Sequence, residues 1–176
     1  TTSLSGNVTT SGVQTYGNAV TLGGSITLDT TGGSNATNRA VSFSSTVDTN
    51  ASAHQGLIIT TTDGNISFTG AIGSGTNGAI GALSLTSTGT TTFSSTVAAA
   101  SLIQNATTGT TAINGASITT TGDQTYKNAV TLGASTVTLT ATGHNIAFTG
   151  SAATIDGAKA LVVTVGTSAG SVSFGG

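Results

Sequence analysis

The chain has 176 residues, of which 5% are charged and 4% aromatic, with 26 Gly, no Pro, Cys, Met or Trp, and a formal net charge of −2. Its three cations, Arg39, Lys127 and Lys159, are too few to neutralise a run of phosphates, which argues against nucleic-acid and anionic-membrane partners; the lack of Cys excludes disulfides and thiolate metal sites. Ser and Thr exceed a third of the residues while all five acidic residues are Asp, a balance that favours strands and tight turns over helices.

In chain order, residues 1–23 hold an opening strand and the segment TTSGVQTYGNAVTLG, from Thr9 to Gly23. It returns as TTTGDQTYKNAVTLG from Thr119 to Gly133, twelve of fifteen positions being identical at the constant offset that separates Thr9 from Thr119. Tyr16 and Asn18, with Tyr126 and Asn128, mark this repeat motif. Ile26 and Leu28 then continue an alternation of period two, and residues 29–40 are a polar excursion. Phe-centred strands follow: AVSFSSTV around Phe43, NISFTGAI around Phe68, TTTFSSTV around Phe93, NIAFTGSA around Phe148 and SVSFGG around Phe174. Phe43, Phe68 and Phe93 are evenly spaced, and Phe148 and Phe174 repeat nearly the same interval. A second apolar element stands before most of them, starting at Leu57, Leu83, Val137 and Leu161, whereas the stretch 110–136 lacks a Phe and reads as a degenerate unit.

An interval of roughly 20 to 30 residues is the mark of a solenoid, in which a single coil cannot bury its own apolar face and stacked neighbours supply the rest. The expected fold is an all-β, right-handed parallel β-helix (β-solenoid) of six to seven coils of about 25–28 residues. It would run as a single continuous segment over 1–176, with one long internal repeat over 9–118 and a partial second copy over 119–176. Phe43, Phe68, Phe93, Phe148 and Phe174 are expected to stack in an inward ladder, with Leu57, Leu83, Val137 and Leu161 in another. The positions four after Phe (Val47, Ile72, Val97, Ala152) should also face inward, and those two after Phe are small. Tandem immunoglobulin-like sandwiches are the alternative, because the long offset also equals the length of one such domain. No segment reads as a signal peptide, and the aromatic girdles of a membrane barrel are missing. The opening Thr1 and the closing Phe174 to Gly176 are what a processed product or a piece of a longer repetitive protein would show.

Repeats of the form TTGxQTYxNAVTL followed by LTxTGxNIxFxG resemble those of large bacterial secreted and surface proteins of the filamentous-haemagglutinin and autotransporter-adhesin type. The resemblance covers essentially the whole chain and is specific to the repeat class. It implies an extracellular or cell-surface location and a role in adhesion, biofilm, sheath or stalk. It transfers no catalytic residue.

The search for chemistry agrees with that expectation. Polysaccharide cleavage needs clustered carboxylates beside a cation, but Asp29, Asp48, Asp63, Asp123 and Asp156 are spread over separate turns. His54 and His144 share no metal-ligand spacing. The expectation is therefore a non-enzyme with no metal or cofactor, whose partners are further copies of itself, in end-to-end or lateral filament contacts, and host or matrix glycans; a self-assembling fibre subunit stacking end to end through exposed coil edges is an alternative function. A second class is ice binding, with Thr60 to Thr62, Thr86 to Thr88, Thr119 to Thr121 and Thr140 to Thr142 as the candidate rows.

Overall fold

The computed structural model describes residues 1–33, 39–50, 53–166 and 169–175. Part of the polar excursion (34–38), Thr167 of the last apolar element and Gly176 lie outside the described residues. Among the described residues the chain is an all-β parallel solenoid of about 7 turns without a helix, stacked strands being about 22 residues apart. Every strand pairing is parallel, which rules out immunoglobulin-like sandwiches, whose sheets are antiparallel.

Each turn has three sides. The first side stacks Thr2–Leu4, Val20–Leu22 and Val47–Thr49, passes through single bridges at Ile72, and continues in the start of Val97–Gln104, then Ser117–Thr120, Thr136–Ala141 and Ala160–Thr164. The second side stacks Val8–Thr9, Ile26–Asp29, Leu57–Thr60, Ile80–Thr86, the end of Val97–Gln104, Gln124–Tyr126, Ile146–Phe148 and Val172–Phe174. The third is a separate seven-stranded sheet of Gln14–Tyr16, Val41–Phe43, Ile66–Phe68, Thr90–Phe93, Thr110–Ile113, Ala129–Leu132 and Ile155–Asp156. Ile80–Thr86 and Val97–Gln104 run unbroken around the corner between first and second sides and join the second side to the later strands of the first in an eleven-stranded sheet, while Thr2–Leu4, Val20–Leu22 and Val47–Thr49 form a three-stranded sheet of their own.

Alternation places every second residue inside, so each side contributes two inward columns. The seven aromatic residues fill two of them. Tyr16, Phe43, Phe68 and Phe93 stack on the third side with ring centroids 4.9 to 5.5 Å apart, and Tyr126, Phe148 and Phe174 stack on the second at 5.1 and 5.2 Å. Rings within each column lie 1° to 15° from parallel, the offset stacking that the ring quadrupole favours. The single Phe ladder expected from sequence is thus two ladders on different sides. Ile113 and Leu132 continue the third-side column beyond Phe93; on the second side Leu28, Ile59, Leu85 and Gln104 precede Tyr126.

The other expected ladder divides in the same way. Leu57 and Leu83 are register partners on the second side, while Val137 and Leu161 are partners on the first. The cause is coil length. Val41, Ile66 and Thr91 stack at equal intervals, but the turns from Thr91 to Thr111 and from Thr111 to Val130 are distinctly shorter. The stretch that reads as one degenerate unit holds four sides, not three: Thr110–Ile113, Ser117–Thr120, Gln124–Tyr126 and Ala129–Leu132. Everything after it arrives one side early.

Corners determine which residues tolerate this stacking. Gly70 lies over Ser45, where an added Cβ would come within 2.4 Å of the Ser45 carbonyl carbon, and at Gly150 it would come within 1.6 Å of the Lys127 carbonyl oxygen. Both positions follow a Phe by two, so the small residue there reflects backbone touching backbone at a corner. Val47, Ile72 and Val97, four after Phe, stack beyond that corner on the first side and are buried. Ala152 breaks that series: it is exposed, because the chain after Phe148 turns onto the third side instead.

Candidate functional site

The repeat motif forms the same local structure twice. In the first copy the Gln14 side-chain amide donates to the carbonyl oxygens of Val8 (3.2 Å) and Asp29 (3.1 Å) and to the Thr10 hydroxyl (3.2 Å), while the Tyr16 hydroxyl donates to Gln14 Oε1 at 2.9 Å. In the second, Gln124 donates to the Ile118 and Thr140 carbonyls (3.3 and 2.8 Å) and to the Thr120 hydroxyl (3.2 Å), and Tyr126 donates to Gln124 Oε1 at 3.0 Å. Thr10 and Thr120 each donate to the carbonyl two residues on, that of Gly12 or Gly122. A Thr-x-Gly-x-Gln-x-Tyr sequence is therefore a corner staple: the Gln reaches from its own strand to the strand before it and to the next turn. Sequence reasoning picked out Tyr and Asn and passed over this Gln, although its identity in both copies was the available signal.

The two staples stand on different sides. Third-side strands at Val41–Phe43, Ile66–Phe68, Thr90–Phe93 and Thr110–Ile113 count four turns from Gln14–Tyr16, and two further sides bring the chain to Gln124–Tyr126. The duplication thus spans four and two-thirds turns, and its second copy sits one side round. Tyr16 is half-buried and Tyr126 fully buried; burial pushes both hydroxyl pKa values up. Asn18 is exposed, whereas Asn128 is buried and accepts from the Thr111 hydroxyl at 2.8 Å. A polar seam surrounds Asn128: Gln104 donates to the Thr91 hydroxyl at 2.6 Å, and Gln104 Oε1 and Asn128 Nδ2 are buried without a hydrogen-bond partner.

Of the other residues singled out, Phe43, Phe68, Phe93, Phe148, Leu57, Leu83 and Val137 are buried, Leu161 is partly buried, and Phe174 is 67% exposed. Phe174 covers Phe148 with one ring face and, among the described residues, has no strand against the other.

The carboxylates of Asp29, Asp48, Asp123 and Asp156 serve the backbone. Asp48 accepts from Gly75 N–H at 2.7 Å, Asp123 from Asn145 N–H at 2.8 Å and Asp156 from Gly157 N–H at 2.6 Å. Asp29 accepts from the hydroxyl and N–H of Thr31, both at 2.7 Å, which holds its carboxyl below the usual range. Asn7, Asn65 and Asn145 do the same across turns, accepting from the N–H of Thr27, Thr90 and Ser171. His144 Nδ1 lies 3.7 Å from Asp123 Oδ1 in an exposed pair, and His54 Nδ1 lies 2.6 Å from the Ala79 carbonyl. Among the described residues no group of three or more His, Cys, Asp or Glu is placed to hold a metal ion, and no helix is long and apolar enough to cross a membrane.

What the sides offer outward is mostly hydroxyl. The third side presents Thr15, Ser42, Ser67, Thr92, Ala112 and Thr131 in register, and the first presents Thr119, Thr140 and Thr164. The candidate ice-binding triplets do not form one row: Thr60 pairs with Thr86 on the second side, and Thr119 with Thr140 on the first. The outward row of the second side is interrupted by Ile58, 46% exposed, beside a groove of about 200 Å³ lined by Ser25, Ile26, Thr27, Gly56, Ile58 and Ala82.

Compared with protein-family models, curated proteins and solved structures, the chain matches none.

Proposed function

We propose that this chain is a structural, non-catalytic segment of an extracellular bacterial surface adhesin or filament, serving attachment, biofilm, sheath or stalk. The observation that supports it is the pairing of a buried, mostly apolar inward core with outward rows of uncharged hydroxyls, while the carboxylates of Asp29, Asp48, Asp123 and Asp156 accept from backbone N–H groups. Seven turns at the strand spacing of about 4.8 Å make a rod roughly 34 Å long. A rod with three sides of small neutral side chains suits repeated weak contacts with glycans or with neighbouring filaments, and the likeness of its repeats to the filamentous-haemagglutinin class points the same way.

Attachment of the purified chain to host cells and to an array of matrix glycans tests the reading. The expected result is saturable retention that changes little between about 50 mM and 500 mM salt, because few charges are available to be screened. Release of new reducing ends from any polysaccharide by the same preparation would replace this function with a catalytic one.

A further inference from the structure

The polar seam in the middle of the solenoid holds two buried groups of opposite hydrogen-bonding kind that do not reach each other. We propose that one ordered water molecule is bound there as a fixed part of the core, donating to Gln104 Oε1 and accepting from Asn128 Nδ2.

The side chains of the seam are sealed from solvent: Gln104 is 1% exposed and Thr91, Thr111 and Asn128 are 0%. Gln104 Nε2 donates to the Thr91 hydroxyl at 2.6 Å, and the Thr111 hydroxyl donates to Asn128 Oδ1 at 2.8 Å, Thr91 and Thr111 being register partners on the third side. These bonds use one polar atom of each amide. The acceptor left on Gln104 and the donor left on Asn128 are buried and unpaired, although folded chains rarely leave such groups so, because each has given up its bonds to solvent. The strands that carry them adjoin, since Gln104 is the register partner of Tyr126 and Asn128 follows Tyr126 by two. At the strand spacing of about 4.8 Å, one small molecule between two turns can bond to both.

The neighbouring turns show where its room comes from. Thr61, Ser87, Ala106 and Asn128 each stand two residues beyond the successive register partners Ile59, Leu85, Gln104 and Tyr126, and all four are buried. Thr61 and Ser87 donate from this corner to the Gly64 carbonyl, at 2.8 and 2.6 Å. Ala106 brings only a methyl to the row, in the turn of Gln104 and one turn before Asn128. The row is therefore one hydroxyl short at the level where the two amides lack a partner. An occupant must accept from an N–H and donate to an oxygen, which suits neither a bare cation nor an anion and suits water. The Thr91 hydroxyl keeps a proton that can turn to the same molecule, for a total of about three hydrogen bonds, the usual number for a buried water. Ala106, at 9% the least buried residue of the corner, marks its route of exchange.

Nuclear magnetic resonance on the intact chain tests the proposal, with a crystal structure to locate the oxygen. The Asn128 side-chain amide protons are expected to show a cross-peak to a water that stays bound for longer than the protein takes to tumble. The crystal should hold a single oxygen within about 3.2 Å of both Gln104 Oε1 and Asn128 Nδ2. Gln104 and Asn128 in direct contact, or no such oxygen between them, overturns the proposal without any variant. Ala106→Thr and the smaller Ala106→Ser bring in the hydroxyl that the row lacks. Each should keep the native far-UV circular dichroism and lose both the cross-peak and the water oxygen, the side-chain oxygen taking over its bonds. A water retained in a folded Ala106→Thr or Ala106→Ser chain overturns the proposal as well. None of these outcomes depends on whether the chain adheres to anything.

Discussion

The two copies of the corner staple are one sequence in two places. Gln14 and Gln124 make matching sets of hydrogen bonds, and both Tyr hydroxyls return to their Gln. Yet one staple lies on the third side at an open end, the other on the second side between turns. Their local structure is set by residues within reach of the motif and their burial by what stacks on them. The comparison teaches that the motif encodes a corner and a strand, not a position around the axis. The second and third sides accept the same motif with the same local hydrogen bonds and differ there in what stacks on it.

Truncation should separate the copies most widely. Tyr126→Ala removes a fully buried ring and is expected to cost about 3–5 kcal/mol, while Tyr16→Ala, with one ring face uncovered, should cost about half as much or less. Denaturant melts of both variants, read by circular dichroism, check the ordering; equal losses would mean that the ends are as well packed as the middle. Next comes Gln124→Leu, which strands the Ile118 and Thr140 carbonyls and the Tyr126 hydroxyl and should cost about 1–3 kcal/mol. Gln14→Leu should cost less, because water reaches the first turn.

Alkaline titration sharpens the same contrast without mutation. Burial raises the Tyr126 pKa above its ordinary 10.0. Above pH 10 the unfolded chain therefore releases a proton that the folded chain keeps, and stability falls as pH rises, by about 1.4 kcal/mol per pH unit for this group. Tyr126→Phe should flatten that limb of the stability curve and Tyr16→Phe should change it little. The smallest effect lies at the acid end. Asp29 has a lowered pKa because it accepts from Thr31; its contribution is present above the ordinary value of 3.8 and is lost as pH falls through the folded value. Asp29→Asn should remove that dependence with a barely measurable change near neutrality.

The repeat class, the parallel stack and the inward Phe and Leu residues were legible because alternation and the even spacing of Phe43, Phe68 and Phe93 leave few other ways to bury those side chains. Which side each column occupies was not. The interval from Phe93 to Phe148 looks like two turns of the expected length but holds two and two-thirds. The apolar pattern records strands and says little about how much backbone a corner takes. The seam of Gln104, Thr91, Thr111 and Asn128 escaped for a related reason: polar residues at core positions break the alternation that marks a core. Gln124 was marked by its identity with Gln14 in the two copies, but its bonding partners emerge only from the fold.

The displacement of the duplicate by one side bears on how such a gene lengthens. If folding required each inserted segment to make whole turns, unequal crossing-over would give a foldable product only when both breakpoints fell at the same corner of the coil. Because this chain accommodates a copy displaced by a third of a turn, breakpoints at any of the three corners suffice, and the set of tolerated recombination products is correspondingly larger. The same freedom gives protein engineers an insertion module of a single side, about 7 residues where the turns are tightest, for adjusting rod length in steps finer than one turn.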